Sequence, residues 1–387
     1  MAVTIEFPRR RPGRLTPPEE YAELRARPGL VRSALPGGCA VWLVTRHEDV
    51  RQVLTSPYVS SNPEREGFPT LGEVQTVPLH EQIPGWFVGY DPPEHGRFRK
   101  ALIPEFTVRR IKAQRPKIQQ VVDARVDALL AAGSPADLVR EFALPVPSLV
   151  ICSLLGVPYS DHEFFENHTR TLVTFTTTKE ERQHAGGELI GYLERLVTIK
   201  QRFPGDDLVS KLLDRAELSV QEIVGVGLLL LIAGHETTAN NIAIGTVMLL
   251  LNREWIGDPR AVEEILRFAS VADLVSLRVA VEDVEIGGEL IRAGEGIVPL
   301  VAAANHDVDV FDHADTFDPS RPARQHVAFG YGVHQCLGQH LVRAEVDIAF
   351  ATLFDRVPTL DLAEPVEDLP FKYDGILFGV HALPVTW

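Results

Sequence analysis

The feature that most constrains the fold is one long apolar stretch, IVGVGLLLLIAGHETTANNIAIGTVMLLL, over residues 223–251. Just before it, Ser219 and Glu222 have the S-x-x-E spacing of a capping box, which marks the start of a helix. The pattern predicts a helix from Ser219 to about Asn252, roughly 50 Å long at about 1.5 Å per residue. Because this helix is apolar on nearly every side, we expect it to be buried.

A polar cluster interrupts the middle of the predicted helix. It consists of His235, Glu236, Thr237, Thr238, Asn240 and Asn241. Such a cluster is expensive in the centre of a membrane span, but it is what a site inside a protein core requires. We therefore predict no membrane segment and a buried functional site on this helix.

The rest of the chain is predicted to be mainly α, with small β-sheets near the start and in the last third. Residues 40–54 have the pattern of a strand, a turn and a helix, residues 281–291 that of a hairpin, and residues 293–305 that of a strand. Helices are also predicted over residues 116–132 and 188–203. No linker divides the chain, so residues 1–387 are predicted to form a single domain behind a Pro/Arg-rich lead-in, residues 1–20.

Composition limits the partners. A formal net charge of −15 disfavours nucleic acid. The first residues contain neither an apolar leader nor an anchor, and three cysteines, an odd number, favour the reducing cytoplasm. A Cys39–Cys152 disulfide is the weaker alternative, because Cys152 lies in the apolar run VICSLLGV and is predicted to be a core side chain.

The third cysteine, Cys336, has different neighbours. It lies in FGYGVHQCLG, residues 329–338, among three glycines and ahead of a helix predicted from Leu337 onward. The residues alone allow a zinc site with His334 and His340, a nucleophile, a core thiol or a haem ligand. A zinc site would need further ligands, and no second cysteine pair lies nearby. A nucleophilic Cys336 would need a base, and the sequence shows no local signature for one. The glycines leave room for a flat group and a helix N-terminus stabilises a thiolate, which favours the haem ligand.

FGYGVHQCLG also resembles the haem-binding signature F-G-x-G-x-H-x-C-x-G of the cytochrome P-450 monooxygenases, with every fixed position filled. The resemblance extends along nearly the whole chain and is strongest to soluble bacterial members that tailor antibiotics in actinobacteria. It implies the P-450 fold, with a long central helix over haem b, and Cys336 as the thiolate ligand of the iron.

AGHETT, residues 233–238, resembles the oxygen-activation segment of that family. The resemblance implies that Ala233 leaves room beside the cofactor, and that Glu236 and Thr237 form the acid–alcohol pair that delivers protons. Without the resemblance, the simpler interpretation is that these hydroxyls only satisfy carbonyls of the helix.

Further positions match other family motifs. The resemblance implies contacts to the haem propionates from His95, Arg99, Arg278 and His334. It also implies a structural triad that supports the cysteine loop, formed by the E-x-x-R element and a later arginine, Glu264, Arg267 and Arg321. Arginine suits both roles because its planar fork binds a carboxylate through two N–H groups.

The predicted substrate is a bulky, largely apolar natural product such as a macrolide or other polyketide, which would be hydroxylated or epoxidised. A steroid or terpenoid, oxidative ring coupling, and a non-enzymatic haem or ligand-binding protein are the alternatives. The predicted pocket residues are Val88, Phe175, Ile232, Leu274, Val275 and Phe378.

Electrons are expected from a separate ferredoxin and ferredoxin reductase, because the chain shows no flavin or iron–sulfur module. Residues 97–117 hold eight basic residues and one acid, Glu105, so this segment is predicted to dock an acidic partner. One departure from the family is the link over residues 252–262, which is shorter than usual and predicts a truncated helix there.

Overall fold

The computed structural model describes residues 3–4, 11, 15–35, 38–71, 83–174 and 176–387. The predicted pocket residue Phe175 and about half of the lead-in, residues 1–20, lie outside the described residues. The elements and contacts of the fold therefore refer to the described part of the chain.

The fold is mainly α, as predicted. The helices are α1 (Glu19–Ala26), α2 (His47–Thr55), α3 (Glu94–Phe106), α4 (Val108–Ala132), α5 (Pro145–Leu155), α6 (His162–Val173), α7 (Lys179–Arg202), α8 (Leu208–Arg215), α9 (Val220–Leu251), α10 (Ala261–Ala269), α11 (Val301–Asn305) and α12 (Gln339–Arg356). The strands are β1 (Val3–Thr4), β2 (Val31–Ala34), β3 (Ala40–Val44), β4 (Val59–Ser60), β5 (Ala136–Asp137), β6 (Arg278–Ala280), β7 (Val284–Ile286), β8 (Glu289–Ile291), β9 (Gly296–Pro299), β10 (Asp361–Leu362) and β11 (Pro384–Thr386).

Helix α9 runs through the middle of the molecule. Both hydrogen bonds of the predicted capping box are present, with the Ser219 side chain bonded to the Glu222 N–H and the Glu222 side chain to the Ser219 N–H. Helices α5, α7, α10 and α12 pack around α9. The predicted burial of the helix is confirmed, because most of its residues are buried and many of its apolar side chains belong to the largest hydrophobic cluster of the protein.

The strands form three small sheets. The largest has the order β1-β2-β3-β9-β6-β4, and the others are β10-β11-β5 and the hairpin β7-β8. In the large sheet β3 and β9 are parallel, with Val41 opposite Gly296 and Val44 opposite Pro299. This sheet places Arg278, the first residue of β6, at the edge of the helical body.

Several predicted boundaries need correction. Residues 293–305 were expected to be one strand, but the strand ends at Pro299 and the alanine-rich remainder forms α11, since alanine favours helix. The helix expected over residues 116–132 begins earlier, at Val108, with Thr107 as its cap. The helix after Cys336 begins at Gln339 rather than at Leu337.

The short link after α9 holds a single 3-10 turn, Arg253–Trp255, before α10 begins at Ala261. The described part of this link contains no α-helix, in agreement with the prediction from its length. All three cysteines are free, so the Cys39–Cys152 disulfide does not form, and Cys152 is buried as predicted.

Candidate active site

The loop that carries Cys336 is shaped by its glycines. Gly330 and Gly332 have φ angles of +67° and +71°, a region that side chains other than glycine rarely adopt. A Cβ at Gly332 would lie 2.6 Å from the carbonyl oxygen of Leu54, so the loop packs backbone to backbone against α2. The Cys336 N–H donates to the Phe329 carbonyl at 2.8 Å and thereby closes the loop.

The Cys336 thiol lies deep in the protein and still keeps accessible surface, as a residue that lines an internal cavity does. Burial raises the pKa of this thiol, while the backbone N–H groups of Gly338 and Gln339 and the guanidinium groups of Arg99 and Arg343 act in the opposite direction. The donors needed to stabilise a thiolate are therefore already in place. Within the described part of the chain, no three His, Cys, Asp or Glu residues are grouped to hold a metal ion, which leaves the zinc interpretation without support.

Four basic side chains converge beside this loop. The rings of His95 and His334 lie 3.9 Å apart, and the Nε2 atom of His334 is 2.8 Å from the hydroxyl oxygen of Ser61. The Nη1 group of Arg99 donates to the carbonyl of Gln335 at 2.7 Å, which ties α3 to the cysteine loop. Arg278 acts electrostatically on both rings, so the four predicted propionate residues form one cluster beside the cysteine loop.

The charges in this cluster repel one another. Burial, Arg99 and Arg278 lower the pKa of His95 to about 4, and burial, Arg278, His95 and Arg99 lower that of His334 to about 3. Burial also lowers the pKa of Arg278 to about 10. Among the described residues, neither arginine has an ion pair with a carboxylate, so the cluster has the chemistry to bind acidic groups of a ligand.

Most of helix α9 is buried, and the accessible residues other than Ile232 and the two helix ends form one stripe. These residues are Leu230, Ala233, Gly234 and Thr237, spaced i, i+3, i+4 and i+7. That spacing puts them on one face of the helix, so this face borders a cavity. Leu230 was not predicted from the sequence, where it is one leucine among four.

Hydrogen bonding alone does not distinguish Thr237 from its neighbours. Its hydroxyl donates to the Ala233 carbonyl at 2.7 Å, and Thr246 makes the same kind of bond to Ile242 at 2.8 Å. The simpler interpretation, hydroxyls that satisfy helix carbonyls, therefore describes both residues. Thr237 differs because it keeps accessible surface on the cavity face, whereas Thr246 is fully buried.

The carboxylate of Glu236 is buried and paired with one lysine. The Nζ atom of Lys372 lies 3.1 Å from its Oε2 atom. Burial raises the pKa of Glu236. The Lys372 ammonium, together with His235 and Arg170, outweighs this effect, so the pKa is lowered. Lys372 was missed in the sequence, because nothing in the segment FKYD marks it as the partner of a residue 136 positions away.

Comparisons with known proteins agree with this geometry. A family model described as cytochrome P450 matches residues 259–372. Cytochrome P450-SU2 and vitamin D3 dihydroxylase, both from Streptomyces griseolus, are 45% and 46% identical to this chain, each alignment covering 96% of it and 94% of the relative. The solved structure of mycinamicin VIII C21 methyl hydroxylase MycCI from Micromonospora griseorubida, bound to mycinamicin VIII, is 39% identical with a TM-score of 0.92, over 99% of this chain and 100% of that one.

The chain belongs to the cytochrome P450 family. The predicted fold and enzyme class are thereby confirmed, since the family consists of haem-thiolate monooxygenases. The family's cofactor is a cysteine-ligated haem, and the residues of this P450 fit it. They are a thiol with N–H donors, a basic cluster whose arginines have no ion pair among the described residues although the Asp91 carboxylate lies nearby, and an accessible stripe on the central helix. Within the described residues, α9 is the one helix long and apolar enough to cross a membrane, and 67% of its apolar window is buried inside the protein.

The predicted triad of this P450 is assembled, with Glu264 and Arg267 fully buried and Arg321 nearly so. Arg267 donates through Nε and Nη2 to the two carboxylate oxygens of Glu264, both at 2.7 Å, and the Nε atom of Arg321 lies 3.0 Å from Oε1. The N–H of Asp318 donates to the same oxygen at 3.0 Å. The Nη1 group of Arg267 donates to the Asn305 carbonyl at 2.6 Å, which connects α10 to the end of α11. These contacts support the predicted role in holding the protein around the cysteine loop.

The predicted pocket residues fall into two groups. Val88 and Val275 keep 43% and 48% of their surface exposed, and Ile232 is half-buried, so these side chains are available to a ligand. Leu274 packs inside a hydrophobic cluster, and Phe378 is stacked with Phe371 and lies under the Arg11 guanidinium, 3.7 Å from the ring centroid. The proposal of substrate contact is therefore better supported for the first group.

The basic segment, residues 97–117, lies on α3 and α4 and is less uniformly available than its composition predicts. Arg97, Arg110 and Arg115 form ion pairs with Glu222, Asp206 and Asp347, and Arg99 faces the cysteine loop. Lys100, Arg109, Lys112 and Lys117 are exposed. A groove of about 380 Å³ borders this surface, between Val108, Lys112, Pro259 and Arg343 among others.

Proposed function

We propose that this P450 hydroxylates or epoxidises a bulky, largely apolar natural product, such as a macrolide or other polyketide, using O2 and electrons from a separate ferredoxin system. The observation that carries the proposal is the accessible stripe on α9 with Thr237 on it, in a helix otherwise enclosed by the core. A mere binding protein has no need of a hydroxyl and a buried carboxylate at this point.

Cys336 is proposed as the iron ligand, with the N–H groups of Gly338 and Gln339 stabilising its thiolate. Arg99, Arg278, His95 and His334 would hold the haem propionates, whose negative charge would relieve the repulsion within the basic cluster. When bound, haem supplies the chemistry that splits O2 and inserts one oxygen atom into the substrate.

The protons for this reaction would be handled by two adjacent residues of α9. The Thr237 hydroxyl donates to the Ala233 carbonyl and would accept a hydrogen bond at the cavity face, where the small Ala233 side chain leaves space for a small molecule. Glu236 would carry protons from the solvent side, held as a carboxylate by Lys372. In this proposal the Thr237 hydroxyl delivers a proton to the cavity, and the Glu236 carboxylate supplies the next proton from solvent.

The substrate class is proposed from the relatives and from the pocket. One relative is named for vitamin D3, and the related solved structure holds mycinamicin VIII. The available side chains of Val88, Val275 and Ile232 are apolar, which suits a large molecule with few charges. A steroid or terpenoid is the second candidate because of the vitamin D3 relative, and oxidative ring coupling is a third.

A spectral titration tests the substrate class. Purified haem-loaded protein is titrated with macrolides, other polyketides, terpenoids and steroids, while the Soret band is followed. A saturable shift with macrolides or polyketides is the expected result, and a shift with steroids alone would replace that class. No shift with any class, in a protein whose reduced carbon monoxide complex shows thiolate ligation, would contradict the proposal.

The electron donors are proposed to be a ferredoxin and its reductase, docking near residues 97–117 in the cytoplasm. The exposed Lys100 and Lys112 attract an acidic partner, and the apolar Val108 between them is 62% exposed. Charge reversal at both lysines should raise the KM for ferredoxin at low salt and leave the spectral titration unchanged. An unchanged KM would place the docking surface elsewhere.

A further inference from the structure

The proton-carrying Glu236 is held by a part of the chain that is distant in sequence. Lys372 belongs to a segment that we call the C-terminal hairpin, Phe371–Val380, in which Phe371 and Val380 pair as an antiparallel bridge. The N–H of Lys372 donates to the carbonyl of Gly379 at 2.8 Å. The backbone of Lys372 is therefore fixed within the hairpin, and its side chain spans the distance to α9.

The hairpin is itself fixed against α9. A Cβ at Gly379 would lie 1.9 Å from the Oδ1 atom of Asn240, so the hairpin backbone touches the helix one turn after Glu236. The N–H of Phe378 donates to the Val271 carbonyl at 2.9 Å. At its tip, Gly375 pairs with Thr174 in a second bridge, directly after α6. These contacts set the position of the Lys372 ammonium relative to the Glu236 carboxylate.

Three charged or titratable groups act on this carboxylate from the elements around it. Lys372 comes from the hairpin, His235 from α9 itself and Arg170 from α6. Of these, Lys372 makes the direct contact, whereas Arg170 is exposed to solvent and His235 is occupied by the Leu231 carbonyl at 2.6 Å and the Thr169 hydroxyl at 2.9 Å. Lys372 is thus the group on which the orientation of Glu236 depends.

We propose that Lys372 is a positioning residue for proton delivery, which holds the Glu236 carboxylate ionised and oriented so that it can accept each proton from solvent. Lys372 acts through Glu236 and does not transfer the proton itself. The inference rests on the relay role proposed above for Glu236 and assigns a function to the C-terminal hairpin, which the family motifs of the sequence do not include.

The test compares substitutions that remove or keep the charge. Lys372→Met removes the ammonium, Lys372→Gln keeps a donor without charge, and Lys372→Arg keeps the charge. We expect product per NADPH to fall roughly threefold or more in the first two, a smaller loss than removal of a general acid itself causes, and to stay close to wild type in Lys372→Arg. The pH at which coupling reaches half its maximum should move upward in Lys372→Met, because the group that lowers the pKa of Glu236 most is then gone, while burial still raises it against the weaker effects of His235 and Arg170.

Lys200→Met is the matched control. Lys200 pairs with Asp207 at 2.7 Å, and the exposed fractions of these side chains, 16% and 6%, resemble those of Lys372 and Glu236, 19% and 3%. This control loses a similar ion pair far from the site. It should show a comparable change in thermal stability and no change in coupling or in its pH profile.

A second readout needs no turnover. In the infrared spectrum of the resting protein, the stretching band of the protonated Glu236 carboxyl, identified by its loss in Glu236→Gln, should persist to higher pH in Lys372→Met than in wild type. Wild-type coupling together with an unmoved band in Lys372→Met and Lys372→Gln would overturn the inference. Wild-type coupling in Glu236→Gln would overturn the proposed relay instead, so the two failures are distinguishable.

Discussion

Two buried glutamates on neighbouring helices of this P450 are held in different ways. Glu264 on α10 accepts from two guanidinium groups and one backbone N–H, and its side chain is fully buried. Glu236 on α9 is nearly as buried, but among the described residues its one ion pair is with the Lys372 ammonium. The two carboxylates are almost equally buried, so they differ mainly in the number of hydrogen-bond donors that contact them.

The difference follows the roles that we assign to the two carboxylates. A carboxylate whose lone pairs are all engaged in short bonds is a fixed part of the scaffold, because every bond must break before it can move or take up a proton. A carboxylate whose partner is a single ammonium keeps lone pairs that can take up a proton without breaking a network of bonds. A scaffold role for Glu264 and a relay role for Glu236 are consistent with these contacts.

The largest expected effect is at the scaffold site. Glu264→Gln would leave the two arginines buried without a counter-charge, and we expect it to lower the free energy of unfolding by about 3–5 kcal/mol. Chemical unfolding of the haem-loaded protein, followed by the Soret band and by circular dichroism, measures the loss. Asp258→Asn is the control, since the Asp258–Arg260 pair at 2.7 Å reaches solvent, with 19% and 57% of its side chains exposed, and should contribute much less. Equal stability of Glu264→Gln and Asp258→Asn would contradict the scaffold role that we assign to Glu264.

The second prediction concerns a substitution that lowers product yield without changing the stability of the protein. Thr237→Ala should leave the unfolding transition nearly unchanged, because the hydroxyl is accessible and bonds a helix carbonyl. It should lower product per NADPH roughly tenfold by removing a proton donor at the cavity. Thr246→Ala, which loses a similar bond at a buried position, is the control. Unchanged product yield in Thr237→Ala would contradict the proton-relay role proposed for Thr237.

The smallest effect extends the comparison to a carboxyl group that lacks a partner. Glu345 on α12 is buried, its Oε2 atom has no hydrogen-bond partner among the described residues, and burial raises its pKa well above the usual value. The folded state therefore binds this proton more tightly than the unfolded state, so its contribution to stability falls as pH rises above the unfolded pKa of about 4.3.

Glu345→Met should accordingly stabilise the protein, by about 1 kcal/mol at pH 5 and more at pH 8. Urea unfolding of both proteins at the two pH values checks this expectation. A gain that shrinks between pH 5 and pH 8 would mean that the carboxyl finds a partner when it ionises.

Much of this structure could be predicted from local sequence. The capping box at Ser219 sets the start of α9, the apolar run sets its burial, and the motif around Cys336 identifies the family. These features act over a few residues, and so they can be recognised in one sequence. The same holds for the pairing of Glu264 with Arg267, which share one face of α10.

What could not be predicted depends on contacts between distant segments. The Lys372–Glu236 pair joins positions 136 residues apart, and only the folded hairpin brings them together. Leu274 was expected in the pocket because it is apolar, but apolar side chains pack equally well into a core, as Leu274 does. Leu230 belongs to the accessible stripe of α9, and this could be recognised only from the side chains that pack around the helix.

The basic cluster beside Cys336 has a consequence for how the protein accumulates in a cell. Arg99 and Arg278 lie inside the molecule without a carboxylate partner among the described residues, and the rings of His95 and His334 are forced to stay neutral. The Asp91 carboxylate acts on His95 and Arg278 in the opposite direction without forming an ion pair with either, so a newly made chain relieves this repulsion only in part. The supply of haem, rather than the rate of translation, should then set the yield of protease-resistant protein, and overproduction without added haem precursor should fill the cell with chains destined for degradation.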